Sequence, residues 1–259
     1  MRGICTYPHY SYGIILRRDE LFIRLMEIGA VKFGSFKLKS GRESPYYIDL
    51  RMLPSNIDVL RRVGEEFANL IKDSQLRVDR ICGIPLAGVS LATSAGMSAN
   101  IPVIYTRKEP IVYKELARSL EKLRSEGKMS DENGSLSRVI EYINELSGFK
   151  TYGIARYVDG EMKDGERIAI LDDLITTAGS KIETKELIML EAKRRNIQVT
   201  VDSAYVFVDR EEGGRENLEK EGIRLYSVAK ISEIAEVLRN MGKISEEQYG
   251  KISSYLGKD

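Results

Sequence analysis

Residues 167–180 read RIAILDDLITTAGS: an apolar run, two adjacent carboxylates, and a short hydroxyl- and glycine-bearing turn that opens an amphipathic helix. Ile168, Ala169, Ile170 and Leu171 follow one another without alternation, the pattern of a strand buried on both faces of a parallel sheet. Such a sheet needs helical crossovers on its faces, so the stretch points to an α/β protein with a central, mostly parallel sheet flanked by helices. Asp172 and Asp173 then fall at the strand's carboxyl end, where open α/β sheets bind ligands, and the following helix N-terminus offers backbone N–H groups to an anion. Thr176, Thr177, Ala178 and Gly179 are small enough to let a phosphate approach the backbone. Ser180 with Glu183 has the spacing of a capping box, Ile182, Leu187 and Leu190 supply an apolar stripe, and Lys193, Arg194 and Arg195 close the last turn. The same letters also suit a buried strand, a solvated Asp-Asp turn and a serine that only caps, and residue types alone leave both open.

Composition narrows the function classes. Of 259 residues, 42% are hydrophobic, enough for a sizeable core, and 40 basic against 39 acidic residues leave a formal charge of +1. No global field recruits nucleic acid or an anionic membrane, so any anion must be met by a local site. Cys5 and Cys82 form no disulfide framework or metal-type cluster, and His9 is the single histidine, which excludes a histidine triad and a histidine-rich metal site. No apolar run has the roughly 20 residues of a membrane span, and a cytoplasmic protein with neither membrane nor nucleic-acid partner is expected.

Along the chain, residues 19–30 are predicted to be a helix, 33–50 two short strands around a basic turn, and 56–74 a second helix. Residues 79–100 repeat the strand, turn, helix logic, with the turn at GIPLAG, and 102–105 form another buried strand. Leucines 116, 120 and 123, and then Leu136, Val139, Ile140, Ile143 and Leu146, recur at helical spacing on either side of SDENGS, which predicts a helical hairpin. Residues 199–208 read as a strand, 223–238 as a closing strand and helix, and Ser245 with Gln248 caps a last helix.

ILDDLITTAGS closely resembles the signature of the type I phosphoribosyltransferases, and FKLKSGRESPYY and VDREEGG resemble segments of the orotate phosphoribosyltransferases. The resemblance runs from about Phe33 to Leu238, outside an insertion at about 110–149. It implies a single domain over residues 1–259 with the type I phosphoribosyltransferase fold, a small N-terminal hood and the hairpin inserted in the catalytic loop. It further implies transfer of the phosphoribosyl group of phosphoribosyl pyrophosphate (PRPP) to orotate in UMP synthesis. In that family the acidic pair, here Asp172 and Asp173, holds the ribose hydroxyls, and the turn from Leu174, Ile175, Thr176, Thr177, Ala178 and Gly179 to Ser180 wraps the 5′-phosphate. Lys39, Arg107 and Lys108 would meet PRPP. Lys39, Tyr47, Ile48, Thr176 and Arg210 would meet orotate, with the planar Arg210 fork suited to a carboxylate. Lys108, Lys150 and Tyr152 match the family's mobile catalytic loop, split here by the insertion. Many relatives have tyrosine and lysine where Leu86 and Ala87 stand, so a contact at Ala87 would be through backbone. The resemblance implies Mg²⁺ bound mainly through PRPP, with Asp172 or Asp173 reaching it through water, and a homodimer with shared active sites. A ligand-sensing regulator of the same fold, or a transferase for another base, are the alternatives.

Overall fold

The computed structural model describes residues 17–37, 41–107, 109–148 and 156–257. Helix α1 (Arg18–Glu27) turns Leu21, Phe22 and Leu25 inward and has Asp19 and Glu20 in its first turn, where carboxylates suit the helix dipole. It leads into the antiparallel pair β1 (Val31–Lys37) and β2 (Glu43–Ile48), in which Ser44, Tyr46 and Ile48 point inward and Tyr47 outward. A 3-10 turn over Leu50–Ser55 passes to α2 (Ile57–Asp73). Next come β3 (Arg80–Gly83), α3 (Ala87–Ala99) and β4 (Val103–Thr106), a parallel strand pair with its crossover helix. Helices α4 (Glu109–Ser125) and α5 (Ser135–Gly148) fill the insertion, and β5 (Val158–Asp159) returns beside β4. The chain then runs through β6 (Glu166–Ile175), α6 (Gly179–Arg195), β7 (Val199–Asp209), α7 (Gly214–Lys220), β8 (Arg224–Lys230), α8 (Ile231–Asn240) and α9 (Glu246–Tyr255).

The six-stranded sheet has the order β5-β4-β3-β6-β7-β8, parallel throughout except for β5, while β1 and β2 form a separate two-stranded hood. Central β6 explains its unbroken apolar run. Ile168 and Ile170 enter one core layer with Ile188, Ala192 and Leu218 from α6 and α7. Ala169 and Leu171 enter the other with Phe67, Leu91 and Ala92 from α2 and α3. The strand does not end at Leu171 as the sequence suggests. It keeps pairing with β7 as far as Ile175 opposite Asp209, whereas β3 stops at Gly83 opposite Leu171. Asp172 and Asp173 therefore lie within β6 but past the end of β3, on the rim of the crevice between them.

The inserted segment is a helical hairpin, as its spacing predicts, but its buried seam is narrower than the leucine pattern. Ala117, Leu136, Ile140 and Ile143 are buried, while Leu116 and Val139 are exposed, because two facing helices cover only one stripe of each. Asp131 organises the bend, accepting hydrogen bonds from the Leu136 and Ser137 backbone N–H groups at 2.8 and 3.1 Å. The α9 cap forms as expected: Ser245 Oγ accepts from Gln248 N at 3.1 Å and Gln248 Oε1 from Ser245 N at 2.9 Å.

Candidate active site

Where β6 outruns β3, the crevice deepens into a cavity of about 400 Å³. Ile48, Asp49 and Arg51 line it from the end of the hood, Ile84 to Ala87 from the turn before α3, and Thr106 and Arg107 from the end of β4. Asp172 and Asp173 of β6 and Ser180, Glu183 and Thr184 of α6 complete it. Gly88 is what lets α3 approach: a Cβ there would lie 2.7 Å from the Leu171 carbonyl oxygen and 3.1 Å from Asp172 Oδ1.

The two carboxylates have different surroundings. Asp172 is buried, and Lys181 Nζ donates to its Oδ2 at 2.6 Å, to the Leu174 carbonyl at 2.5 Å and to Ser180 Oγ at 3.3 Å. Asp173 accepts from the Leu174 N–H at 2.8 Å. Burial, and then the charge of Asp172 beside it, push the Asp173 carboxyl up to about 7, Lys181 opposing them only in part.

The turn after β6 differs from a capping box. Its N-cap is Ala178, in the left-handed region at φ 77°, with no side-chain cap, and Ser180 sits inside the first turn of α6. The first-turn N–H groups are thus left without the serine cap, as an anion-binding helix start requires. The buried face of α6 is also not the Ile182/Leu187/Leu190 stripe. Lys181, Thr184, Leu187, Ile188, Glu191 and Ala192 face inward, and Leu190 is exposed. Gly214 of VDREEGG backs the turn, since a Cβ on it would lie 2.4 Å from the Thr176 carbonyl oxygen. A left-handed alanine costs about 1–2 kcal/mol, but its buried methyl returns about 0.8 kcal/mol and glycine would lose more chain entropy. Ala178→Gly is accordingly expected to leave thermal stability nearly unchanged, and Ala178→Val, β-branched at positive φ, to cost at least about 2 kcal/mol. Equal melting temperatures for the two variants would contradict that backbone.

The two limbs that flank the helical hairpin leave and return side by side. Tyr105 pairs with Asp159 and Thr106 with Val158, and Arg107 N donates to Tyr157 O at 3.0 Å. Glu191, fully buried on α6, accepts from Tyr157 N at 2.9 Å, and Arg195 donates from both terminal nitrogens to Gly160 O at 3.1 Å. One helix thus carries the turn at its start and holds the returning limb near its end.

Of the residues singled out in the sequence, Ile48, Arg107, Asp172, Asp173 and Ser180 share the cavity. Leu174 and Ile175 belong to β6, Thr176 to Ala178 to the turn and Gly179 to the start of α6, none of them lining it. Tyr47 is exposed beside Phe36, with ring centroids 5.7 Å apart. Arg210 is buried beneath the hood, its guanidinium 4.9 Å from the Tyr46 ring centroid and its Nε donating to Tyr46 Oη at 3.3 Å. Its Nη2 lies 2.9 Å from Glu212 Oε1, but without hydrogen-bond alignment and with no hydrogen-bond partner among the described residues. Lys39, Lys108, Lys150 and Tyr152 lie outside the described residues. Sequence reasoning missed Arg51, whose fork grips Asp49 through two 2.7 Å bonds, and Lys181. For Arg51 the signal was an Asp-x-Arg just past a strand end. For Lys181 there was none, since a lysine in a first helical turn reads as surface. Cys82 is buried in β3, which pushes its thiol up to about 12.

Comparison with known proteins decides the family. Over 218 residues, 84% of this chain and 97% of the other, the sequence is 30% identical to the orotate phosphoribosyltransferase of Methanocaldococcus jannaschii. The chain belongs to the orotate phosphoribosyltransferase family. It is also 30% identical to the uridine 5′-monophosphate synthase of Bos taurus over 92% of its own length, and it spans 40% of that longer protein. The crystal structure of orotate phosphoribosyltransferase from Aeropyrum pernix superposes with a TM-score of 0.59 at 26% identity, covering 87% of this chain and 99% of that one. No family model matches the chain. The cavity opens at the carboxyl ends of the central strands. No described helix is long and apolar enough to cross a membrane, and no group of three or more metal-type side chains occurs among the described residues.

Proposed function

We propose that the chain transfers the phosphoribosyl group of PRPP to orotate, giving orotidine 5′-monophosphate and pyrophosphate for UMP synthesis. The observation that carries this is the acidic pair of β6 standing past the end of β3, in one cavity with Arg107 and the start of α6. Pyrophosphate leaves ribose C1 as a ring nitrogen of orotate bonds to it, so positive charge grows on the ribose and negative charge on the leaving group. Asp172 and Asp173 face the ribose side of that change. Arg107, with Lys39, Lys108, Lys150 and Tyr152, is assigned to the leaving group, and the turn 174–180 to the 5′-phosphate, whose binding holds C1 in register. Arg210 is assigned to the orotate carboxylate, with Tyr47, Ile48 and Thr176 around the base.

The donor set fits Mg²⁺ held mainly by PRPP. Only two carboxylates stand together on β6, and Asp172 already faces Lys181, which leaves a cation to take most ligands from phosphate oxygens and water. When bound, the ion supplies charge to the departing pyrophosphate. We further assign one domain to residues 1–259, a cytoplasmic location, and a homodimer in which the catalytic loop serves the neighbouring site.

The hairpin is assigned a passive part in loop closure, because α4 and α5 pack chiefly on one another and present charged side chains outward. Replacing residues 111–148 with a short Gly-Ser linker is expected to change kcat by less than about threefold, or ~0.65 kcal/mol. Loss of activity, or a large gain, would show that the hairpin restrains the loop. The overall assignment is tested by incubating the protein with Mg²⁺, PRPP and either orotate or a purine base. Orotidylate is expected from orotate alone, and nucleotide from the purine instead would overturn the acceptor.

A further inference from the structure

We propose that Lys181 is a positioning residue, a strut that ties the acidic pair to the phosphate turn so that PRPP meets both halves of its site in register. The inference rests on the PRPP site assigned above and adds a residue to it.

A lysine at this point is costly on two counts. Its side chain is 4% exposed, so the ammonium has lost nearly all its water. It also sits third in α6, where the helix dipole opposes a cation. What offsets these costs is complete satisfaction: three N–H donors meet three acceptors, Asp172 Oδ2, the Leu174 carbonyl and Ser180 Oγ. Stability alone does not explain the choice, since an apolar side chain of similar volume often serves a buried site as well as an ion pair does. Position does. The acceptors stand on either side of residues 176–178, two on β6 and one on α6, so the ammonium sets how the turn closes. Lys181 itself does not line the cavity, whereas Asp172 and Ser180 do. It therefore acts through them, fixing which way the Asp172 carboxylate faces and where α6 begins relative to it.

The test compares wild type, Lys181→Met, Asp172→Asn and the double variant by calorimetric titration of PRPP with Mg²⁺, alongside KM for orotate and thermal melting. Lys181→Met is expected to weaken PRPP at least about tenfold while KM for orotate moves less than about threefold. In the Asp172→Asn background the same change should cost less than about twofold further, because one end of the strut is already altered. PRPP affinity within about threefold of wild type, losses that multiply, or equal losses for both substrates with a lower melting temperature would each overturn the role. Should Lys181→Met not fold, Lys181→Gln, which keeps a donor, is read in its place and is expected to weaken PRPP by a smaller factor; an unchanged affinity there overturns the proposal too. PRPP binding is read without turnover. A wild-type chain that binds PRPP but makes no orotidylate would thus count against orotate as acceptor, while these comparisons still decide Lys181.

Discussion

Asp173→Asn is expected to slow orotidylate formation at least tenfold, about 1.4 kcal/mol of transition-state stabilisation, while raising the melting temperature at pH 8; Asp172→Asn is expected to lower both. The contrast follows from their neighbours. Asp173 is a carboxyl whose burial and adjacent charge favour the protonated form, up to about 7. Between roughly pH 4, where an unfolded aspartate titrates, and about 7 the folded chain binds that proton more tightly than the unfolded chain does. Its contribution to stability is therefore full below pH 4 and is lost as pH rises to 7. An asparagine carries no such dependence, so wild type should lose melting temperature between pH 5 and 8 through this group and Asp173→Asn should not. Asp172 is held by an ion pair instead. Removing its charge leaves the Lys181 ammonium buried beside a neutral amide, and breaking a buried pair costs about 3–5 kcal/mol. That loss is smaller than the roughly 5–15 kcal/mol typical of a folded domain, so the variant is expected to fold. Melting curves of both variants at pH 5 and 8, with initial rates at 25 °C, check all of this. Undiminished activity in either variant would remove it from the assigned chemistry.

Arg210→Ala is expected to raise KM for orotate by at least about tenfold and KM for PRPP by less than about threefold, because only orotate offers a carboxylate to the fork. The tertiary setting sharpens the test. Arg210 also lies under Tyr46, which burial keeps protonated, and Tyr46 Oη donates to Glu212 Oε1 at 3.3 Å. Tyr46 in turn meets Tyr255 of α9 edge-on at 5.8 Å, so the arginine is built into the joint between hood, sheet and C-terminal helix. Its Nη2, 2.9 Å from Glu212 Oε1, is nevertheless a buried donor without a hydrogen bond among the described residues, the kind of group a bound carboxylate would satisfy. If the arginine only holds the joint together, both KM values will rise alike and the melting temperature will fall. Steady-state kinetics with each substrate varied in turn distinguishes the two outcomes.

Much of this protein is written in local sequence. The unbroken run from Ile168 to Leu171 specifies a strand covered on both faces, the Ser245/Gln248 pair specifies the start of α9, and the apolar spacing on either side of SDENGS specifies a hairpin. These are properties of neighbouring residues, and hydrophobic periodicity or one cap suffices to fix them. What needed the folded chain is of another kind. How far β6 runs depends on how long β7 continues to pair with it, and the crevice exists because β3 stops four residues sooner, at Gly83. Which side of α6 is buried depends on where partners for Lys181 and Glu191 lie. Those partners are Asp172 and the Leu174 carbonyl for Lys181, and for Glu191 Tyr157 N, 34 positions away, together with two arginines of its own helix. Hydrophobicity marks such residues as surface, because a charge is buried only when the fold brings its counter-charges to it. The motif in the sequence therefore determined the family and the acidic pair, and the three-dimensional packing alone decided that one acid is paired with a buried lysine while burial and its charged neighbour raise the titration of the other.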